Sequence, residues 1–130
     1  MIEQLASATT DIVRAVLDNA LVRHKVIANN IANNQVEGYT PLAVKFEEML
    51  RSELQTGGGA ATRDKIDSVL RDVQPQIVEV AESAQPYDQS SQLDAQMSEM
   101  AKNTLKYESL IRATNQYAAI TKLAIGGGNR

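Results

Sequence analysis

From residue 2 to residue 34 the chain contains no glycine and no proline. Within that stretch Leu5, Ile12, Val16, Ala20, Ile27 and Ile31 return to one side of a helix, and Val13, Leu17, Leu21 and Ala28 widen the stripe. Such a run predicts a single helix ~50 Å long. Its other side carries Asp11, Arg14, Asp18, Arg23 and Lys25, charges of both signs. Asp11 with Arg14 and Asp18 with Arg23 are the expected local pairs, each of small value. A second long helix is predicted over 92–125. There Leu93, Met97, Met100, Thr104, Tyr107, Ile111, Thr114, Ala118, Thr121 and Ile125 alternate four- and three-residue steps, a heptad seam with three threonines in it. Lys106 and Lys122 fall off that seam. Neither helix can bury its apolar side alone. The expected fold is therefore mainly α. The two long helices pack as an antiparallel, coiled-coil-like hairpin, and the remaining apolar surface is buried against other copies.

The hairpin segments, 1–34 plus 92–125, bracket a small middle region, 35–91. Residues 35–44 read as a loop closed by Thr40-Pro41. Phe46, Met49, Leu50 and Leu54 define a short helix over 45–55. Gly57-Gly58-Gly59 breaks it. Thr62 is the expected N-cap of another short helix, with Ile66, Val69, Leu70 and Val73 on its apolar side and Pro75 beyond its end. Ile77, Val78 and Val80 suggest a short strand. Pro86-Tyr87-Asp88 reads as a turn. Gly126-Gly127-Gly128 is expected to end the second long helix and to leave 126–130 as a flexible tail.

Composition narrows the function classes. There is one Phe, no Trp and four Tyr in 130 residues, which favours helix-on-helix packing over an aromatic-rich enzyme core. A net charge of −3 gives no footprint for nucleic acid. Cysteine is absent, so thiol catalysis, disulfides and Cys-ligated metals are excluded. The single His24 stands between Arg23 and Lys25 and reads as part of a solvated basic patch. Gly57–Gly59 lacks the spacing of a phosphate-binding loop. Glu47 and Glu48 are adjacent, which splays them about 100° apart on a helix and suits a solvated face. No convergent nucleophile, base and orienting group is visible, so the chain reads as a non-enzyme with no cofactor, no metal and no small-molecule substrate. No apolar run reaches the ~20 residues a membrane-spanning helix needs. The first residues have no basic n-region, and Asp11 interrupts any apolar core of a signal peptide.

Residues 28–41 read Ala-Asn-Asn-Ile-Ala-Asn-Asn-Gln-Val-Glu-Gly-Tyr-Thr-Pro. Asparagine suits a helix end, because its amide bonds nearby backbone and it tolerates left-handed conformations. Asn29 with Asn33, and Asn30 with Asn34, share a face at i and i+4. Spacing alone leaves two readings about equal: a fraying helix end, or a row of amides that pairs with another subunit.

The same stretch resembles the signature of the flagellar axial (rod and hook) protein family, A-x-N-[I/L]-A-N followed by T-x-G-Y. Ala28, Asn30, Ile31, Ala32, Asn33, Gly38 and Tyr39 match it; Val36 stands in place of Thr and Glu37 in place of Pro. Phe46-Glu47-Glu48-Met49-Leu50 is similar to the F-E-x-x-L continuation of a proximal rod member. Leu93-Asp94-Ala95-Gln96-Met97 is similar to its V-D-L-D-x-E-M. The resemblance implies a structural subunit of the proximal rod, assembled helically into a torque-transmitting shaft that lines an export channel and is needed for motility. It implies copies of the chain itself, a FliE-type basal-body adaptor, FlgC-type and other rod proteins, and the flagellar type III export apparatus as partners. It implies a place in the basal body, across the periplasmic space, reached without a cleaved signal. It tips the amide row toward subunit contact. The interface candidates are then Asn29, Asn30, Ile31, Asn33, Gly38, Tyr39, Phe46, Leu93, Met97, Met100, Tyr107 and Ile111. A sister rod protein sharing the signature, and a stand-alone helical adaptor or chaperone dimer, are the alternatives.

Overall fold

The computed structural model describes residues 2–56, 59, 62–80 and 88–127, with side chains described from residue 6 onward. Two long helices dominate, α1 (Ile2–Ala32) and α4 (Gln89–Gly127). Between them come β1 (Leu42–Lys45), α2 (Glu47–Gln55), α3 (Arg63–Asp72) and β2 (Gln76–Glu79). Gly57, Gly58, the Pro86-Tyr87 part of the expected turn, and 128–130 of the expected tail lie outside the described residues.

Three hydrogen bonds set the direction of the long helices. Asn34 Nδ2 donates to the Gln89 carbonyl (3.1 Å), Asn30 Nδ2 to Gln96 Oε1 (3.0 Å), and Asn103 Nδ2 to the Ala20 carbonyl (2.8 Å). As α4 advances, its partners on α1 recede, so the helices are antiparallel, as the periodicity predicts. At ~1.5 Å per residue the 39-residue α4 outruns the 31-residue α1 by about 12 Å. The excess falls at the C-terminal end of α4, because Gln89 is level with Asn34. The helix continues through Gly126 and Gly127, further than the glycine run suggests.

The α4 face that meets α1 differs from the predicted seam. Leu93, Met100, Tyr107, Ile111 and Thr114 are half-buried as expected, but Met97 is 58% exposed and Thr104 is exposed. Gln96, Asn103 and Leu110 occupy the contact instead. Both sets obey a heptad rhythm and share Met100, Tyr107 and Thr114. Choosing Met97 over Gln96 selected the wrong side there, because the contact near the asparagines is polar, and the last positions of the predicted seam, Ala118, Thr121 and Ile125, are exposed. The seam threonines are tolerated because Thr104, Thr114 and Thr121 each donate to the carbonyl four residues back, at 2.8–2.9 Å.

The apolar core lies further along α1, against its N-terminal half. Phe46, Leu50, Val69 and Val73 are buried together against Ile12, Ala15 and Val16 of α1, with Met49, Leu54 and Leu70 around them. These are the residues that the sequence places on the apolar sides of α2 and α3. Thr62 occupies the N-cap position of α3, but its side chain makes no capping bond. Residues 42–45 form a strand rather than part of a loop. β1 pairs antiparallel with β2, Leu42 opposite Glu79 and Lys45 opposite Gln76. A four-residue strand has too little sequence to declare itself, and the partner that stabilises it is more than thirty residues away.

The expected local ion pairs are replaced by pairs between elements. Asp11 accepts from Arg63 of α3 (2.7 Å), and Arg23 pairs with Glu47 of α2 (2.6 Å). Glu47 therefore does not lie on a merely solvated face.

Candidate functional site

The asparagine run closes the end of the hairpin as a clasp. Its centre is Asn30, 2% exposed. Asn30 Nδ2 donates to the Leu42 carbonyl (2.7 Å) and to Gln96 Oε1 (3.0 Å); its Oδ1 accepts from the Leu42 N–H (2.9 Å) and the Tyr39 hydroxyl (2.9 Å). A primary amide offers two donors and two acceptor sites, and all four are filled. The Leu42 backbone fixes the amide's orientation, since its N–H must meet oxygen and its carbonyl must meet N–H. The one side chain thus ties α1 to the start of β1 and to α4.

The neighbouring residues complete the clasp. Asn29 Nδ2 donates to the Tyr39 hydroxyl oxygen (2.9 Å), and Asn33 Nδ2 donates to the Asn29 carbonyl (2.8 Å) and to Asn29 Oδ1 (3.1 Å). The last contact is the i, i+4 pair that the spacing predicts. The chain turns back through Val36 N–H to the Asn33 carbonyl and Tyr39 N–H to the Val36 carbonyl. Gly38 sits at φ +76°, in the left-handed region that glycine adopts freely. That conformation delivers the Tyr39 hydroxyl to Asn29 and Asn30.

Gly38→Ala is expected to destabilise the chain by about 1–2 kcal/mol through backbone strain alone. Nothing lies within 4 Å of the position an added Cβ would take, so no clash contributes. Gly38→Asn should cost less, since asparagine visits this region. Urea unfolding of the two variants checks the order.

A second cluster joins three elements beside the clasp. Arg23 grips Glu47 with both terminal nitrogens, Nη1 to Oε1 (2.7 Å) and Nη2 to Oε2 (2.6 Å), and Nη2 also donates to the Val44 carbonyl (3.2 Å). Lys106 of α4 donates to Glu47 Oε1 as well. The Arg23 hydrogen bonds hold the Glu47 carboxyl down at about 2; burial opposes this, and Lys106 and a backbone N–H assist it. The same bond raises Arg23. Lys106 therefore has a partner, although it stands off the seam predicted from sequence.

The predicted interface residues divide into two groups. Asn30 and Phe46 (3% exposed) are buried within the chain, and Ile31, Asn33, Tyr39, Leu93, Met100, Tyr107 and Ile111 are half-buried. Asn29, Gly38 and Met97 are exposed. Gln96, Asn103 and Arg23 are the residues that sequence reasoning passed over. Gln96 carried a signal: an amide in place of an acidic residue, on the helix that faces an asparagine row.

No helix among the described residues is long and apolar enough to cross a membrane. No protein-family model matches the chain, and no solved structure matches it. Among curated proteins, the flagellar basal body rod protein FlgB of Bacillus subtilis (strain 168) is 28% identical over 127 residues, 95% of this chain and 98% of that protein. The similarity therefore runs through both long helices and the middle region between them. This chain is thus similar along nearly its whole length to a flagellar basal body rod protein.

Proposed function

We propose that the chain is a non-enzymatic building block of the proximal rod, and that copies assemble helically into a shaft that transmits torque and leaves a channel for exported subunits. The observation that carries this reading is the C-terminal third of α4. From Ala113 to Gly127 the helix bears one charge, Lys122. Tyr117, Ile120, Leu123 and Ile125 are all more than half exposed. They spread over roughly half of the helix surface, and apolar surface that wide on a helix calls for covering. One chain cannot surround it, whereas neighbours in a tube do. The clasp and the ion cluster make the other end rigid, which suits a part that carries load.

The proposed neighbours are further copies, FlgC-type and other rod proteins, a FliE-type adaptor and the export apparatus. The proposed location is the rod in the periplasmic space, reached without a cleaved signal. Asn29, Gly38 and Met97 are the candidates that remain outward-facing and available to a neighbour. Deleting the gene should abolish swimming and the basal-body rod, and the intact gene supplied in trans should restore both. Basal bodies of normal number in the deletion strain would refute the rod role. Met97→Asp should leave monomer stability within about 0.5 kcal/mol, as for other surface positions, yet reduce swimming. Unchanged swimming would remove Met97 from the interface.

A further inference from the structure

Among the described residues α4 buries one side chain completely, and that side chain is polar: Asn103. Its Nδ2 is taken by the Ala20 carbonyl, and its Oδ1 is enclosed with no partner among the described residues. An unpaired acceptor of this kind weighs against the position that encloses it. No apolar side chain of α4 is driven deep enough into α1 to lock the helix by shape. Three polar contacts hold its present face inward instead. Asn30 donates to Gln96, Asn103 donates to the Ala20 carbonyl, and Lys106 reaches Glu47.

The same helix carries a second face. At about 100° per residue, Leu93, Met100, Tyr107 and Ile111 form a strip about 40° wide. All four are half-buried. Gln96 and Asn103 flank the strip on one side, Met97 and Thr104 on the other, and both of the latter are exposed. A groove of about 480 Å³ runs between α1, β1 and α4, and α4 lines it with Gln96, Glu99, Lys102, Asn103 and Lys106. Met97 and Thr104 stand away from it. The open space is therefore on the flank that would turn outward if Met97 turned toward α1.

We propose that α4 is a two-position element that rolls about its own axis by roughly 50°, from the present face to one in which Met97 and Thr104 meet α1. The roll keeps the strip of Leu93, Met100, Tyr107 and Ile111 at the contact and covers the Met97 side chain. It swings Asn103 into the groove, where solvent reaches its Oδ1. Thr104 enters with its hydroxyl already bonded to the Met100 carbonyl. The contacts given up are those to Gln96, the Ala20 carbonyl and Glu47, while Asn30 keeps Leu42 and Tyr39. The polar groups released face the groove and are hydrated there, so the two positions stand close in free energy. One position presents Met97 at the surface and the other withdraws it. That this opens or closes Met97 to a neighbouring subunit rests on the rod reading above; the roll itself does not.

The absence of cysteine makes the test clean. Ala20→Cys with Thr104→Cys supplies two thiols that meet in the rolled position; in the present one Asn103 faces Ala20 and Thr104 is exposed. The full chain is oxidised mildly at high dilution, so that the bond closes within one molecule, and closure is followed by loss of free thiol. The double variant is expected to close. Lys106→Gln should speed closure by up to about fivefold, the worth of one partly exposed ion pair. Met97→Ser should slow it roughly three- to tenfold, because the apolar side chain that the roll covers is gone. Circular dichroism of each variant before oxidation confirms that the helices persist. A pair that stays open, or that closes at a rate indifferent to both changes, overturns the roll. The chain without cysteines gives a second reading through its methionine methyl signals. Lys106→Gln should broaden, split or move the Met97 signal, although the two residues are ~14 Å apart along the helix, and should leave Met49 beside the apolar core unchanged. An unchanged Met97 signal overturns the roll as well.

Discussion

Asn30→Ala is expected to be among the most damaging single truncations in the chain. It takes this partner from the Leu42 N–H, the Leu42 carbonyl and Gln96 Oε1, and leaves the Tyr39 hydroxyl with Asn29 alone. Each group left unpaired in a buried place costs about 1–3 kcal/mol, less where water enters. A total of about 3–4 kcal/mol is expected, lowering the melting temperature by roughly 10–15 °C. Alanine's better helix propensity returns less than about 0.7 kcal/mol of this. Tyr39→Phe removes one hydroxyl and should cost about 1 kcal/mol. Asn30→Asp keeps both acceptors but aims a carboxylate at the Leu42 carbonyl and Gln96 Oε1, so it should be no better than alanine. Urea unfolding of the three variants gives the order directly. Equal losses from Asn30→Ala and Tyr39→Phe would mean that the amide is not the centre of the clasp.

This alters how the asparagine row is tested for contact between subunits. An Asn30 variant that fails to swim has lost its own fold, so its failure says nothing about a neighbour. Asn33 is the cleaner probe, because among the described residues its side-chain bonds run to Asn29 alone, within the same short stretch. Asn33→Ala should leave the hairpin standing, and a swimming defect in that variant would point to a contact outside the chain.

The elements legible in the sequence are those with long periods or strong punctuation. α1 had no breaker in its entire length, and α2 and α3 announced themselves through Phe46, Leu50, Val69 and Val73. What escaped was decided between distant segments. β1 exists because β2 lies against it. Asp11 finds Arg63, and Arg23 finds Glu47, across gaps in sequence that no local rule spans. The α4 seam was half legible, because a heptad rhythm fixes spacing and leaves the side open. Apolarity chose Met97, whereas the amide clasp brought Gln96 and Asn103 to the contact. In the asparagine row, spacing correctly paired Asn29 with Asn33. It gave no sign that Asn30 would turn inward to a strand not yet recognised.

Glu47→Gln is expected to cost about 2–3 kcal/mol near neutral pH, and the loss should fade as the solution is acidified. At neutral pH the substitution leaves the Arg23 and Lys106 charges facing each other without their shared carboxylate. Removing one partner of a largely desolvated pair costs up to about 3–5 kcal/mol, and the partial exposure of this cluster reduces that figure. The pH dependence follows from the carboxyl being held at about 2, below the ordinary value of 4.5 that it regains on unfolding. The native state therefore binds this proton more weakly than the unfolded chain. The stabilisation is complete above about 4.5 and is lost as the pH falls through about 2. Wild type and Glu47→Gln should differ most above that window and converge at its lower end. Lys106→Glu, which brings a second carboxylate to Glu47, should cost about 1 kcal/mol; Lys122→Glu, on the exposed end of α4, should cost close to nothing. Urea unfolding of the four chains across the acid range measures each difference. A gap between wild type and Glu47→Gln that stays constant down to about pH 2 would show that Glu47 contributes through shape alone and that its charge holds no part of the hairpin.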